Sequence, residues 1–279
     1  SGAGLIRSPE LAKAILRATK RGIEDWANGR TLEQAGFPAD RTAALRRLNE
    51  RRGDAAQIER RPIPVSVKTR IGYDAVTVET WLKHLMTERP SVISLHGRTL
   101  RQMYRGQADW SAIARAVAVV KEAETLLLGN GDIHSLEEAV ARVRETGVDG
   151  VLVGRAVLGT PWFFRKKEEA RELVRGRNGA EMGRNGEDIP LTRRFAVLLN
   201  HARRFEELYG AHRFYRMRKH LAWYCKGFPH AAALRARMVH LSSVGELESV
   251  LDDYVSGRLP FPTVEESVNE DLGAVSRCA

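Results

Sequence analysis

Apolar residues recur along the first two-thirds of the chain in two alternating rhythms. Short β-branched or leucine-rich runs occupy residues 63–68, 92–95, 125–128 and 150–153. Between them, residues 76–87, 111–124 and 135–146 place apolar positions three and four apart, the period of a helix with one buried face. Strands alternating with helices at this spacing predict right-handed βαβ units on a parallel sheet. Upstream, Ser8-Pro9 followed by Leu11, Ile15 and Leu16 predicts a helix running to about Arg21. Residues 22–61 are arginine-rich and poorly patterned. They are expected to form a solvent-facing insertion, helical around 41–50. Beyond Thr160-Pro161, a second helix-start pair, the strand signals cease. Residues 176–189 read as a glycine- and charge-rich linker, and from Pro190 to Val255 helical periodicity dominates. Phe195, Leu198, Leu199, Phe205 and Leu208 mark one apolar stripe there. The expected organisation is an α/β domain over 1–175 carrying the 22–61 insertion, a linker at 176–189, a helical domain over 190–256, and a disordered tail over 257–279.

Each predicted strand runs into polar or glycine chemistry: Lys68-Thr69-Arg70, His96-Gly97-Arg98, Gly129-Asn130-Gly131-Asp132 and Gly154-Arg155. Functional groups gathered at one end of successive parallel strands predict the mouth of a (β/α)8 barrel. A doubly wound sheet, with its ligand at a reversal of strand order, is the alternative. Two successive glycine turns that open onto helix starts, joined by an arginine, can hold a phosphate through backbone N–H groups and charge. A lysine aimed into a barrel mouth costs desolvation unless it meets an anion or an electron-rich ring. Lys68 with His96 on the next strand therefore suits a planar, electron-accepting ring with a phosphate tail, and flavin mononucleotide (FMN) is the obvious candidate.

Composition adds less. The chain has 45 basic and 35 acidic residues, a net charge of +10. That fits a solvated arginine-rich surface or a polyanionic partner, and charge by itself does not choose. No apolar stretch has the length of a membrane span. The two cysteines, Cys225 and Cys278, are far apart without metal-ligand spacing, so a reducing, cytoplasmic setting is expected.

Several segments in order resemble the tRNA-dihydrouridine synthases: Val67-Lys68-Thr69-Arg70, Leu95-His96-Gly97-Arg98-Thr99, Gly106-Gln107-Ala108-Asp109-Trp110, Gly129-Asn130-Gly131-Asp132-Ile133 and Val153-Gly154-Arg155-Ala156. Gly159-Thr160-Pro161-Trp162-Phe163-Phe164 does so too, and Arg218-Lys219-His220-Leu221-Ala222-Trp223-Tyr224 is similar to a basic motif of that family's helical domain. The resemblance implies the C-terminal half of a TIM barrel followed by an all-helical domain. It implies FMN-dependent, NADPH-linked reduction of the uridine C5–C6 bond in tRNA, with hydride delivered to C6 and a proton to C5. By the same resemblance Lys68, His96, Asn130, Gly131, Asp132, Gly154 and Arg155 would hold FMN. Arg70 and Arg98 would face the extruded uridine or its phosphate, and Arg218, Lys219 and His220 the tRNA backbone.

The family's proton-donating cysteine stands in an Asn-x-Gly-Cys-Pro motif that this sequence does not contain, so neither Cys225 nor Cys278 is given a catalytic role. The chain is expected to be a piece of a longer enzyme, inactive in isolation. Half of a split or swapped assembly, or a degenerate non-catalytic RNA-binding relative, are the alternatives, and a different phosphate-binding barrel such as an isomerase is a further one.

Overall fold

A computed structural model of the chain describes residues 2–51, 59–121, 123–174 and 189–258. Residues 176–188 of the expected linker and the tail from 259, with Cys278, lie outside them. After a 3₁₀ turn at Gly2–Arg7 come α1 (Pro9–Ala27), α2 (Ala39–Glu50), β1 (Ser66–Arg70), α3 (Val78–Met86), β2 (Val92–His96), α4 (Trp110–Val120), β3 (Leu126–Asn130), α5 (Leu136–Thr146) and β4 (Gly150–Leu152). Further 3₁₀ turns at Arg155–Val157 and Pro161–Phe164 lead to α6 (Lys167–Val174) and α7 (Leu191–Tyr209). A last 3₁₀ turn, Ala211–Arg216, precedes α8 (Arg218–Tyr224), α9 (Ala231–Met238) and α10 (Val244–Val255). The chain divides into two compact units, residues 2–154 with 170–174 and residues 155–169 with 189–258.

In the first unit the four strands are parallel and adjacent in sequence order, β1-β2-β3-β4. Side chains alternate across a strand, and here one parity alone is buried. Thr69, Ile93, Leu95 and Leu127 face a core that also takes Trp81, Leu82 and Leu85 of α3, Ile113 and Ala116 of α4, and Leu16 of α1. The Trp81 indole donates to the Thr69 hydroxyl at 3.0 Å, which fixes that face. Helices gathered on one side of strands in sequence order are barrel-type βα units. A doubly wound sheet would reverse its order and bury both parities.

All four strand boundaries differ from expectation, β2 running on to His96 and β4 ending at Leu152, and the shifts have consequences for chemistry. β1 was expected at 63–68, but Pro62 and Pro64 have no N–H to give a ladder. Pairing therefore starts at Ser66 opposite Val92 and continues to Arg70 opposite His96. β3 likewise extends through Gly129 and Asn130. The polar residues thus belong to the last rungs of the sheet itself rather than to loops beyond it. α1 runs past the expected Arg21 to Ala27.

The second unit has its own core of Phe195, Leu198, Ala202, Phe214, Met217, Leu221, Leu234, Met238 and Leu247. The stripe expected on α7 holds as far as the half-buried Phe205, while Leu208 is 75% exposed. Two of the sequence motifs meet here. Gly159 has φ +71°, and a Cβ at that position would overlap the Trp223 carbonyl. Lys226 donates to the Leu158 carbonyl at 2.8 Å, and the Arg194 guanidinium lies 5.6 Å from the centre of the Trp162 ring.

Replacing Gly159 with alanine is expected to cost roughly 2–3 kcal/mol, from positive φ and the overlap together. Gly154→Ala, whose Cβ would meet nothing within 4 Å, is expected to change stability little. Thermal melts of the two variants test the difference.

Candidate cofactor and anion site

The register aligns Arg70, His96, Asn130 and Leu152 in one row at the carboxyl ends of the strands. Lys68 and Ser94 lie one side-chain row below. By alternation all of these point away from the helices. Lys68 Nζ donates to Asn130 Oδ1 at 3.4 Å, and Asn130 Nδ2 donates to the Leu152 carbonyl at 2.9 Å, which fixes the amide's orientation. Arg70 Nη1 donates to the carbonyls of Thr99 and Met103 at 2.9 and 3.3 Å. Neither Lys68 nor Arg70 pairs with a carboxylate among the described residues.

Three cations crowd His96. Burial first, then Arg70, Lys68 and Arg98, lower its pKa to about 4, against a smaller opposing effect of Asp132. The ring is neutral near pH 7; its Nε2 lies 3.5 Å from Arg98 Nη1 and can accept from it, which leaves Nδ1 to donate. Burial and then Arg70 also lower the pKa of Lys68. This face therefore carries two uncompensated cations, a neutral imidazole and an amide. Such a set suits an anionic, acceptor-rich ligand and leaves a cationic one without partners.

Arg98 is placed differently from its expected RNA-facing position. It is 2% exposed, and its fork grips Asp132 at 3.0 and 2.6 Å while reaching the carbonyls of Arg105 and Gly106 at 3.3 and 2.6 Å. The guanidinium is spent inside the protein, so it cannot meet a phosphate. Asp132, expected at the cofactor, likewise commits its carboxylate to Arg98 and to the Ala108 N–H at 2.8 Å. The pair clamps the loop after β2 to the turn after β3.

The same contacts explain the segment 106–110. Asp109 caps α4 by accepting from the Ala112 N–H at 2.8 Å, and the Trp110 indole donates to the Gly131 carbonyl at 3.0 Å. Gly131 has φ +140°, and a Cβ there would overlap the Ala108 methyl, so the turn closes only with glycine. Ala108, Asp109 and Trp110 brace the site although they are not among the expected site residues. Their signal was there, an N-cap aspartate beside an aromatic, but what they brace is visible only in three dimensions.

Gly154 ends the first unit, and Arg155 opens the second. In the second unit Arg218 donates to the carbonyls of Leu241 and His240 at 2.8 and 3.1 Å, so it ties α8 to the turn after α9. Lys219 is exposed, and His220 is half-buried with its ring centre 4.8 Å from that of Trp223. Cys225 is buried, and burial pushes its thiol up to about 12, which leaves it inert as an acid or nucleophile near neutral pH. No helix among the described residues is long and apolar enough to cross a membrane.

A one-sided parallel sheet with this polar row, followed by a helical unit, defines the architecture; comparison with known proteins gives the family. The dihydrouridine synthase (Dus) family model matches residues 55–257. A probable tRNA-dihydrouridine synthase 1 from Synechocystis is 36% identical over 197 residues, 70% of this chain and 52% of that protein. A probable tRNA-dihydrouridine synthase from Mycobacterium tuberculosis is 36% identical over 223 residues, 78% of this chain and 54% of that protein. A tRNA-dihydrouridine synthase B from Vibrio parahaemolyticus is 33% identical over 177 residues, 62% of this chain and 51% of that protein. The chain belongs to the dihydrouridine synthase family, and it spans about half the length of these curated relatives.

Asp132→Ala leaves the Arg98 guanidinium buried without its counter-ion, and a loss of roughly 3 kcal/mol is expected in urea unfolding. The pH dependence has a definite sign. Between pH 6.5 and about 4 the unfolded chain takes up a proton at His96 that the folded chain refuses, so stability falls as pH drops through that window. His96→Gln is expected to flatten this slope, read as the urea midpoint at pH 5 against pH 7.

Proposed function

We propose that this chain is part of a flavin-dependent enzyme that reduces the C5–C6 bond of uridine in tRNA, with NADPH as reductant. The observation that carries the reading is the uncompensated pair Lys68 and Arg70 beside neutral His96, in register with Asn130. FMN would lie on this face, held by Lys68, His96 and Asn130, with the turns at Gly131 and Gly154 near its phosphate. When bound, FMN supplies the hydride for the reduction.

The chain's own residues do the rest by position and charge. Lys68 offers an ammonium to the electron-rich edge of the ring, and Asn130, its amide fixed by Leu152, sets where that ammonium points. His96 stays neutral among the cations, so it can hydrogen-bond without adding to their repulsion. Arg70 is anchored by two carbonyls through Nη1 and keeps its other N–H groups for the uracil or its phosphate. Asp132 would take part through its backbone. Lys219 and His220 would meet the tRNA. No described residue is assigned the proton transfer to C5, because Cys225 is buried and held protonated. A second reading is a family member that binds RNA without catalysis.

Fluorescence titration of FMN against the purified chain separates the two. The flavin reading expects saturable quenching that Lys68→Ala weakens on the order of tenfold or more, the worth of one charge-assisted contact. Affinity for a tRNA transcript is expected to survive that substitution. A chain that binds tRNA but no FMN would leave the non-catalytic reading standing.

A further inference from the structure

We propose that the end of α7 and the 3₁₀ turn Ala211–Arg216 form a surface for unpaired RNA bases, stacked on Tyr209 and Tyr215 and flanked by Arg213 and Arg216. The proposal rests on the tRNA reading above. It adds which part of the RNA this surface takes: a single-stranded stretch rather than a duplex backbone.

The geometry follows from the turn's period. A 3₁₀ helix has three residues per turn, so positions i and i+3 share an edge. Phe214 and Met217, both fully buried, form the inward edge. Arg213 and Arg216 share the second edge, and His212 and Tyr215 the third. One short element therefore displays an arginine pair beside an aromatic pair, anchored from beneath by the core. Tyr215 is 55% exposed. Arg216 Nε donates to its hydroxyl at 3.1 Å and lies with Cζ 5.7 Å from its ring centre, which restrains the ring in one orientation. Just upstream, Tyr209 is 48% exposed and supported one helical turn back by Phe205, ring centres 4.8 Å apart. Leu208, between them in sequence, extends the exposed apolar area.

Charge selects the partner. Neighbouring arginines are neutralised, Arg203 by Glu248 at 2.6 Å and Arg204 by Glu207 at 3.5 Å. Arg213 and Arg216 donate through Nε to His212 and Tyr215, and neither pairs with a carboxylate among the described residues. Restrained aromatic faces next to uncompensated cations are what single-stranded nucleic acid needs, since every base has a face to stack and every linkage a charge to meet. A duplex would use the cations and leave the rings idle. Arg218, from the motif expected to hold RNA, is by contrast tied to two carbonyls.

The test is fluorescence anisotropy of the whole chain with three labelled probes: a tRNA transcript, a short oligouridine and a blunt RNA duplex. Tyr209→Ala with Tyr215→Ala is expected to lose on the order of tenfold or more for tRNA and oligouridine, and the two Phe substitutions to keep the affinity. Arg213→Gln and Arg216→Gln should each flatten the salt dependence on oligouridine by about 0.7 in log-log slope. These side chains are exposed, so circular dichroism should show an unchanged fold. Wild type that prefers the duplex, or a double Ala variant that binds tRNA normally, overturns this surface and spares the tRNA reading. A wild-type chain that binds no tRNA overturns both. Loss of self-association in sedimentation, with RNA affinity unchanged, would instead make the patch a contact between copies and also overturn the proposal.

Discussion

A single buried ion pair holds the candidate site together. Arg98 leaves the end of β2, turns under the loop that follows, and meets Asp132 beyond the end of β3. Burying a guanidinium is costly unless its charge is matched and its donors are used. Here the Asp132 carboxylate matches the charge, and the Arg105 and Gly106 carbonyls take further N–H groups. Asp132 in turn holds the Ala108 N–H. The loop, the turn and the start of α4 become one rigid piece, and the Trp110 indole on the Gly131 carbonyl completes it. If the pair is lost, the ladder and the Trp110–Gly131 hydrogen bond are left to hold this corner.

That economy has an electrostatic counterpart on the sheet face. Asp132 is used on Arg98, and Lys68 and Arg70 pair with no carboxylate among the described residues. Burial first, and then repulsion among the cations, disfavours the charged forms, so the pKa values of Lys68 and His96 both move down. Crowding of this kind costs stability that a bound anion would return.

Two groups of arginines in the second unit have different tasks. Arg218 and Arg235 turn inward to cap carbonyls, Arg218 at Leu241 and His240 and Arg235 at Cys225. Arg213 and Arg216 stay at the surface without acidic partners. Both sets carry charge into the field that an RNA would meet, but the second set also presents its guanidinium groups at the surface.

The sequence determined the βα alternation, the helical character after Pro190, and the identity of the polar row, because hydrophobic period and strand-end chemistry are local signals. Lys68, His96 and Asn130 were legible for that reason, each standing where an apolar run stops. Proline also carried information that period alone did not: Pro62 and Pro64 set β1 three residues later, which places Arg70 beside His96. Tertiary structure decided which polar residues are free. Arg70 and Arg98 look equivalent in sequence, one residue type two positions beyond Lys68 and His96 respectively. Arg70 lies on the last rung of its strand with the parity that faces away from the helices. Arg98 lies past the end of its strand, where the chain has turned toward Asp132. Whether an arginine is a ligand contact or an internal brace depends on the partner that folding brings from a distant segment, and no local pattern encodes that.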